Sequence, residues 1–204
     1  MKKYKVGLVG VGAVGTEMIK VLKERDFPLK GQVQVFASRE RDEEILGETY
    51  HVLPANENSF NGLDIVLFAG KTDVAIQLRD AVVKAGAKMI DNSRAFRQDP
   101  EVPLVVPQVN AEDLDWNKGV IANPNCTTAI MLEAVAPLHK AKKVKRIIAS
   151  TYQAASGAGA PGLAELEQQM KEYVEGRELT VKAFQHQLTY NLIPHQRVSS
   201  ASTS

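Results

Sequence analysis

The fold of this chain is decided by the stretch YKVGLVGVGAVG, residues 4–15. Its first half, residues 4–9, is an apolar run that predicts a short buried strand. Its second half opens a segment in which apolar residues recur at helical spacing from Val14 to Leu22, so a helix is predicted directly after the strand. A buried strand that runs straight into an amphipathic helix is the first unit of an α/β fold.

A glycine-rich loop, Gly-Val-Gly-Ala-Val-Gly at residues 10–15, joins the strand to the helix. In a G-x-G-x-x-G loop the first glycine allows a tight turn, the second lets the backbone approach a pyrophosphate, and the third lets the helix pack close to the strand. The helix N-terminus then offers its unpaired N–H groups to the phosphates. A purely structural turn would show the same letters, but the strand before and the helix after favour dinucleotide binding. The predicted cofactor-binding residues are Gly10, Gly12, Ala13, Val14 and Gly15.

The rest of the chain continues to alternate strands and helices. Strands are predicted at residues 32–38, 63–70, 87–93, 118–125 and 144–153, a short extended segment at 103–110, and further helices at 72–86, 126–141 and 161–176. This alternation predicts an α/β protein with a Rossmann-like parallel sheet and helices on both faces.

The composition excludes several classes of function. Among 204 residues, 25 Lys and Arg balance 24 Asp and Glu, which does not favour a nucleic-acid or membrane partner. One cysteine cannot form an internal disulfide, and His and carboxylate residues are not clustered, so no metal site is predicted. The N-terminal apolar run lacks a cleavage signal and no run reaches the roughly 18 residues of a membrane span. We therefore expect a cytoplasmic protein.

The end of the second predicted strand bears on the choice of cofactor. An NAD site would place Asp or Glu there to hold the ribose 2′-hydroxyl. This chain instead has Ser38, Arg39 and Arg41, whose hydroxyl and guanidinium groups suit a 2′-phosphate. Glu40 interrupts them, and a solvated loop of mixed charge is the alternative. The residues thus favour NADP.

The only cysteine, Cys126, lies where an apolar strand gives way to a helix, in IANPNCTTAIMLEAV, residues 121–135. The dipole and N–H groups of a helix N-terminus stabilise a thiolate, which makes Cys126 a candidate nucleophile. The alternative is a small buried hydrophobe. With a dinucleotide loop upstream, a nucleophilic thiol indicates aldehyde oxidation. The thiol attacks the aldehyde, hydride passes to the nicotinamide, and a second nucleophile releases the resulting thioester.

Several blocks of sequence resemble the aspartate-β-semialdehyde dehydrogenase family from residue 4 to about 195. They occur in the family's order and are DNSRAFR at 91–97, PLVVPQVN at 103–110, NPNCTT at 123–128 and STYQAASGAG at 150–159. The resemblance implies a cytoplasmic oxidoreductase of lysine, methionine and threonine biosynthesis. It would interconvert aspartate semialdehyde and aspartyl phosphate with NADP and inorganic phosphate.

The resemblance also implies roles for single residues. Cys126 matches the nucleophile that forms the acyl thioester, and Asn125 matches a phosphate-site residue beside it. Arg97 matches the arginine that binds inorganic phosphate or the acyl phosphate, a task suited to a planar guanidinium, although a surface ion pair is the alternative.

Three further roles lie in the last block. Gln153 matches the residue that orients the substrate beside the thiol. Ser156 and Gly157 match positions near the nicotinamide end of the cofactor. Without the resemblance, this glycine- and alanine-rich stretch indicates only a flexible loop.

The chain also departs from the family pattern. Its first glycine turn is one residue shorter than the family's G-x-x-G-x-x-G, and Arg94 stands where the family more often has Ser. After HQLTYNLIPH the family continues much further, whereas this chain reads QRVSSASTS and stops. We therefore expect an NADP-binding domain at 1–126, a partial catalytic and dimerisation domain at 127–195, and a disordered tail outside the family at 196–204. The fold would then be a Rossmann-like sheet followed by an incomplete α/β catalytic domain.

A truncated chain would lack parts that the family uses. The family's histidine base and the arginine that binds the substrate carboxylate would both be missing. None of the histidines of this chain lies in the family's base motif; they are His51, His139, His186 and His195. We expect impaired activity, and a homo-oligomer such as the full-length family forms.

Two other functions remain open. A reductase of the N-acetyl-glutamyl-phosphate type shares the architecture and the thiol chemistry, but its cysteine block reads differently. A non-catalytic NADP-binding or oligomerisation module belongs to another class. Reactivity of Cys126 separates the two enzymes from the module, and the choice of substrate separates the enzymes from each other.

Overall fold

The computed structural model describes residues 2–194. The chain forms two compact units, one reaching to Ser150 and the other beginning at Thr151. The domain boundaries expected from the sequence stay predictions, and the expected tail at 196–204 lies outside the described residues, as does His195.

The first unit is built on a seven-stranded sheet, counted over its described residues. The strands are β1 Val6–Val9, β2 Gln34–Ala37, β3 Arg41–Ile45, β4 Glu48–Pro54, β5 Ile65–Phe68, β6 Lys88–Asp91 and β7 Val120–Ala122. Their order across the sheet is β3-β4-β2-β1-β5-β6-β7, and every pair is parallel except β3 with β4. The helices are α1 Ala13–Glu24, α2 Thr72–Lys84, α3 Pro107–Asn110 and α4 Cys126–Lys142, with a 3₁₀ turn at Ala111–Trp116.

Helices cover both faces of this sheet. Successive side chains of a strand point to opposite faces, so Leu8 and Val9 of β1 lie on opposite faces of the sheet. Leu8 belongs to a buried cluster with Ile19 of α1, and Val9 belongs to a second buried cluster with Leu78 of α2. The predicted Rossmann-like parallel sheet with helices on both faces is confirmed.

The strand order locates the edge at which a ligand would bind. From β1 the chain first builds outward through β2 and later returns to add β5 on the other side of β1. In open parallel sheets, ligands bind outside the carboxyl ends of the strands at such a switch point. The loops that follow β1, β2, β5, β6 and β7 therefore surround the expected site.

An antiparallel hairpin of β3 and β4 was not predicted from the sequence. Residues 38–44 are so rich in charge that they indicate a solvated loop. Residues 41–44 instead belong to an edge strand, on which charged side chains remain in water, while residues 38–40 stay in a loop. Leu46 and Gly47 close the hairpin with positive φ angles of 55° and 76°, as a two-residue turn of this kind requires.

The predicted strand at 144–153 is wrong. These residues have no regular secondary structure, and the side chain of Ile148 is 90% exposed. A strand must pair its N–H and C=O groups with a neighbour. Within residues 2–194, none of the strands pairs with this segment. The segment 103–110, predicted to be extended, bridges Leu104 to Ala122 and then turns into α3.

The second unit is organised by a polar face of helix α5, Ala160–Val174. Glu165, Gln169 and Glu172 recur at helical spacing and are buried. Glu165 accepts a hydrogen bond from the backbone N–H of Lys182 at 2.8 Å, and Gln169 accepts one from Leu188 at 2.8 Å. An irregular segment cannot pair its own backbone groups, so these side chains fix the chain that follows α5.

We expect the carboxylate of Glu172 to stabilise the second unit in a pH-dependent way. It accepts hydrogen bonds from Gln168 and from the N–H and hydroxyl of Thr180, each at 2.7 Å. These donors, Gln168 first, lower the pKa of Glu172 from 4.5 to about 2. Because the folded pKa lies below the unfolded one, the stabilisation is complete above pH 4.5 and is lost as the pH falls toward 2.

The Glu172→Gln variant should therefore be less stable than the parent chain at neutral pH and lose less stability on acidification. Urea unfolding of both chains at a series of pH values between about 7 and 2 measures the difference. Glu167→Gln, at an exposed position of the same helix, is the matched control and should follow the parent. Parallel stability curves for parent and Glu172→Gln would contradict the assignment.

Candidate active site

The glycine loop lies against the carboxyl ends of the neighbouring strands. Gly10 has a φ of +99°, and a Cβ there would lie 3.0 Å from the backbone C and O of Ala69, just after β5. Its N–H donates to the carbonyl of Phe36 in β2 at 2.9 Å. The first glycine is therefore required both by its backbone angle and by the close approach of the next loop.

The second and third glycines have the two different surroundings that a dinucleotide loop needs. A Cβ on Gly12 would meet nothing within 4 Å, so this backbone is open to an approaching ligand. A Cβ on Gly15 would lie 2.0 Å from the carbonyl oxygen of Gly10, so α1 packs directly on the turn. The first helical bond runs from Thr16 N–H to Gly12 O, and the N–H groups of Ala13–Gly15 precede it without a side-chain cap. This open cradle of N–H groups fits the pyrophosphate of a dinucleotide.

The two glycines should respond differently to alanine. Gly15→Ala forces a Cβ onto a backbone oxygen, and we expect a loss of about 3 kcal/mol in the free energy of unfolding. Gly12→Ala should change stability by less than about 1 kcal/mol but weaken dinucleotide binding, because its Cβ projects into the open space. Urea unfolding and NADP titration of both variants test the pair. Equal stability of the two variants would contradict the packing role of Gly15.

The loop after β2 carries the residues expected to hold the ribose. Ser38, Arg39 and Glu40 are exposed and follow β2 directly. The side chain of Arg39 makes no hydrogen bond or ion pair with residues 2–194 that the structure describes. Arg41 lies on β3 instead of in the loop, and its guanidinium binds Glu43 with Nη2 at 2.6 Å and Nε at 2.9 Å. Arg39 is therefore the more accessible of the two guanidiniums.

A second group of polar residues lies at the ends of β6 and β7. Arg97 donates from Nε to the carbonyl of Asn123 at 2.9 Å and from Nη2 to the carbonyl of Asn92 at 3.0 Å. The amide of Asn123 donates to the side-chain oxygen of Asn92 at 2.6 Å. A guanidinium has five N–H donors, so these two bonds fix its plane and leave donors for an anion. Arg94, nearby in sequence, is exposed.

The turn that carries Arg97 is ordered by Asp91, which is fully buried at the end of β6. Its carboxylate accepts from the N–H of Ser93 at 3.0 Å and from the hydroxyl of Ser93 at 2.8 Å. Burial raises the pKa of Asp91, while the bonds from Ser93 and the charge of Arg97 oppose that rise. The buried carboxylate thus orders the turn rather than facing solvent.

Cys126 is the first residue of α4 and is exposed. Asn125 is the N-cap, and its side-chain oxygen accepts from the N–H of Thr127 at 3.1 Å and from the Thr127 hydroxyl. Because Arg97 holds the carbonyl of Asn123, the guanidinium is anchored three residues before the thiol. The structure therefore brings Arg97, Asn125 and Cys126 to neighbouring strand ends, at the sheet edge that also carries the glycine loop.

The other predicted residues belong to the second unit. Gln153, Ser156 and Gly157 lie in or beside the 3₁₀ turn Ala155–Ala158 and are exposed. A Cβ on Gly157 would lie 1.9 Å from Nε2 of Gln153, so the side chain of Gln153 folds against this turn. The sequence alone indicated a flexible loop here, and the structure shows a compact turn.

The histidines of the first unit lie away from the thiol. His139 is thirteen residues further along α4, a helical rise of about 20 Å from Cys126. His51 lies on β4, next to the outer edge of the sheet. Over residues 2–194, the structure shows no group of His, Cys, Asp and Glu that could hold a metal ion. Nor is any helix in that range both long and apolar enough to cross a membrane.

Sequence reasoning missed the two asparagines that support Arg97. Asn92 and Asn123 are not among the predicted site residues, although each lies near the end of a predicted strand, at 87–93 and 118–125, and directly follows β6 or β7 in the structure. Their position was the available signal, because polar groups at the carboxyl ends of parallel strands meet at one edge.

Two family models match the chain. Residues 5–117 match the NAD binding domain of semialdehyde dehydrogenase, and residues 135–203 match the semialdehyde dehydrogenase dimerisation domain. Among curated proteins, the aspartate-semialdehyde dehydrogenase of Aquifex aeolicus is 44% identical over 200 residues, which cover 94% of this chain and 58% of that protein. The enzyme of the same name from Bacillus subtilis is 40% identical, over 93% of this chain and 58% of that protein.

A solved structure agrees with these matches. The crystal structure of aspartate semialdehyde dehydrogenase II complexed with ASA from Vibrio cholerae superposes with a TM-score of 0.88 at 34% identity. The match covers 94% of this chain and 58% of that one. The chain thus spans a little under three fifths of the length of these relatives.

Proposed function

Because the chain belongs to the semialdehyde dehydrogenase family, we propose that it interconverts aspartate semialdehyde and aspartyl phosphate. The reaction would use NADP and inorganic phosphate and pass through a thioester on Cys126. The names of the relatives support the substrate, since those compared above are aspartate-semialdehyde dehydrogenases. The proposal is made for a chain that covers 58% of their length.

One observation carries the proposal. Arg97 is anchored on the carbonyl of Asn123, three residues before the exposed thiol of Cys126. A nucleophile and a fixed anion-binding group thus lie at the carboxyl ends of the strands, where a loop suited to a dinucleotide also lies. An acyl-transfer reaction in which phosphate attacks a thioester needs those groups together.

The proposed chemistry assigns a task to each group. Sγ of Cys126, as the thiolate, forms a bond to the aldehyde carbon, and the carbonyl oxygen takes up the charge. Held at the glycine loop of residues 10–15, NADP would supply the acceptor for the hydride that leaves this carbon, which turns the adduct into a thioester. A phosphate oxygen, held by Arg97, then attacks the thioester carbon, the C–S bond breaks, and the thiolate is released with aspartyl phosphate as product.

The remaining residues complete the proposal. Asn125 would offer its amide N–H groups to the phosphate, since its oxygen already caps α4. Gln153 would orient the substrate beside the thiol, and Ser156 and Gly157 would contact the nicotinamide end of the cofactor. Arg39, with Ser38, would hold the 2′-phosphate, which favours NADP over NAD.

The cellular location, the pathway and the oligomeric state are part of the same proposal. We place the protein in the cytoplasm, in the biosynthesis of the aspartate-derived amino acids. We expect a homodimer, which the match of residues 135–203 to a dimerisation domain supports.

We expect slow turnover from the 204-residue chain. A thiol nucleophile needs a base within hydrogen-bond reach to take its proton. Within residues 2–150, which the structure describes, His51 lies near the far edge of the sheet and His139 lies about 20 Å along α4. Neither of these two imidazoles is therefore placed to take the proton of Cys126.

The direct experiment measures NADPH formation by the purified chain from aspartate semialdehyde and from N-acetylglutamate semialdehyde, each with and without phosphate. Phosphate-dependent NADPH formation from the first aldehyde alone supports the proposal. The same result from the second aldehyde would assign the chain to the N-acetyl-glutamyl-phosphate reductases. NADP binding without NADPH formation from either aldehyde would favour a non-catalytic module.

A further inference from the structure

The imidazole ring of His51 lies between two carboxylates beside the expected ribose site. Nδ1 lies 2.7 Å from Oδ1 of Asp42, and Nε2 lies 3.2 Å from Oε1 of Glu40. Asp42 is directly opposite His51 in the β3–β4 pairing, and Glu40 comes two residues earlier. All three side chains are more than half exposed.

A charged ring satisfies both contacts. A carboxylate only accepts hydrogen bonds, and a neutral imidazole has a single N–H to donate. Only the imidazolium can donate to Asp42 and Glu40 together. When the ring loses its proton, one contact must be lost, and we expect it to be the longer one, to Glu40.

Among the described residues, the strands beside His51 place no cation on the face of the sheet that carries its ring. On β3 the next residue on the same face is Glu44, and on β2 the neighbour of His51 is the uncharged Gln34. Arg41 and Glu43 lie on the opposite face of β3 and pair with each other. Among the side chains of the neighbouring strands, His51 alone is therefore placed to balance the charge of Glu40.

Glu40 occupies the loop in which the cofactor's ribose is proposed to lie. Ser38, Arg39 and Glu40 directly follow β2, and Gly10 of the glycine loop donates to the carbonyl of Phe36 near the end of that strand. A 2′-phosphate brings a charge of about −1.5 to −2 to this loop at neutral pH. An ionised Glu40 repels it, whereas the same carboxylate accepts a hydrogen bond from a 2′-hydroxyl.

We propose that His51 is a specificity-determining residue, which favours NADP over NAD by neutralising Glu40. This inference rests on the proposed dinucleotide binding. Protonated His51 holds the Glu40 carboxylate and leaves Arg39 to bind the 2′-phosphate. Neutral His51 releases Glu40, and the preference for NADP decreases.

The carboxylates beside the ring also raise the pKa of His51. The hydrogen bond to Asp42 raises it above 6.5, the charges of Asp42 and Glu40 add to this, and partial desolvation opposes it. The ring is therefore charged below the raised pKa and neutral above it. The NADP preference should be strongest at the acidic end and decline as the pH rises through that value.

Calorimetric titration of the 204-residue chain with NADP and with NAD between about pH 7 and 9 tests the inference. The 2′-phosphate has a pKa of about 6, so its charge is nearly constant in this range. We expect the ratio of Kd for NAD to Kd for NADP to fall about fivefold, the effect of one exposed charge a few ångströms from the phosphate.

Two variants separate the contributions of the ring and the carboxylate. His51→Gln should show a low ratio at every pH, and Glu40→Gln a high ratio at every pH. His139→Gln, on α4, is the control and should keep the parent profile. A ratio that does not change with pH in the parent, or an unchanged slope in His51→Gln, overturns the inference alone. Failure of the parent to bind either dinucleotide overturns the proposed function as well.

Discussion

The Cys126→Ala variant is expected to form no thioester and to lose single-turnover NADPH formation from aspartate semialdehyde by at least about 10⁴-fold. The physical reason is that hydride can leave the aldehyde carbon readily only after a nucleophile has added to it. No other thiol exists in the chain to replace Cys126. NADP affinity should stay within about twofold of the parent, because the glycine loop precedes α1, whereas Cys126 begins α4.

Thr128→Ala is the matched control for this prediction. Thr128 is exposed and lies two residues further along the same helix, so its removal reports on damage to α4 without removing the thiol. It should retain most of the parent rate. A Cys126→Ala variant that still forms NADPH from the semialdehyde would contradict the nucleophilic role.

Replacement of Arg97 by glutamine should raise the phosphate concentration needed for acyl release and lower kcat/KM for phosphate by about 10²-fold. A bidentate guanidinium contributes two charge-assisted hydrogen bonds to a phosphate oxygen pair, and glutamine contributes neither the charge nor the geometry. Arg97→Lys should recover little, because an ammonium cannot reproduce the bonds from Nε and Nη2 to the carbonyls of Asn123 and Asn92.

The control for Arg97 is Arg94→Gln, which removes an exposed positive charge from the same turn. Loss of charge alone should change phosphate dependence by less than about fivefold. Arg97 also ties two loops together, so its variants should unfold at lower urea concentration. If Arg97→Gln lowers stability but leaves the phosphate dependence intact, its role is structural only.

The sequence predicts the parallel sheet well because the buried strands carry a strong local signal. The continuous apolar run from Val6 to Val9 belongs to a central strand that is buried on both faces. The glycine loop adds a second signal, since the open space at Gly12 and the tight packing at Gly15 follow from the order of the three glycines.

Two segments show where local reading of a sequence fails. The charged residues 41–44 form a strand only because β4 provides a partner, which is a tertiary contact. The β-branched run at 144–148 has the opposite problem, because its composition favours a strand but no described strand pairs with it. Strand formation depends on the neighbour as much as on the residue.

The candidate site is predictable only in part, because some of its contacts join strands that are far apart in sequence. The roles of Cys126 and Arg97 stay predictions from their sequence blocks, and the structure places the guanidinium on the carbonyl of Asn123. The engagement of Arg41 by Glu43 depends on the unpredicted hairpin, as does the contact of His51 with Glu40. Interactions across strands far apart in sequence leave no local pattern.

A single-turnover reaction without phosphate tests the thioester on Cys126 most directly. The chain is mixed with NADP and excess aspartate semialdehyde, NADPH is measured by absorbance, and the chain is then digested and analysed by mass spectrometry. We expect about one NADPH per reactive chain and an acyl group on the peptide that contains Cys126, which added phosphate removes. NADPH formation without an acyl group on Cys126, or an acyl group that phosphate does not release, would contradict this expectation.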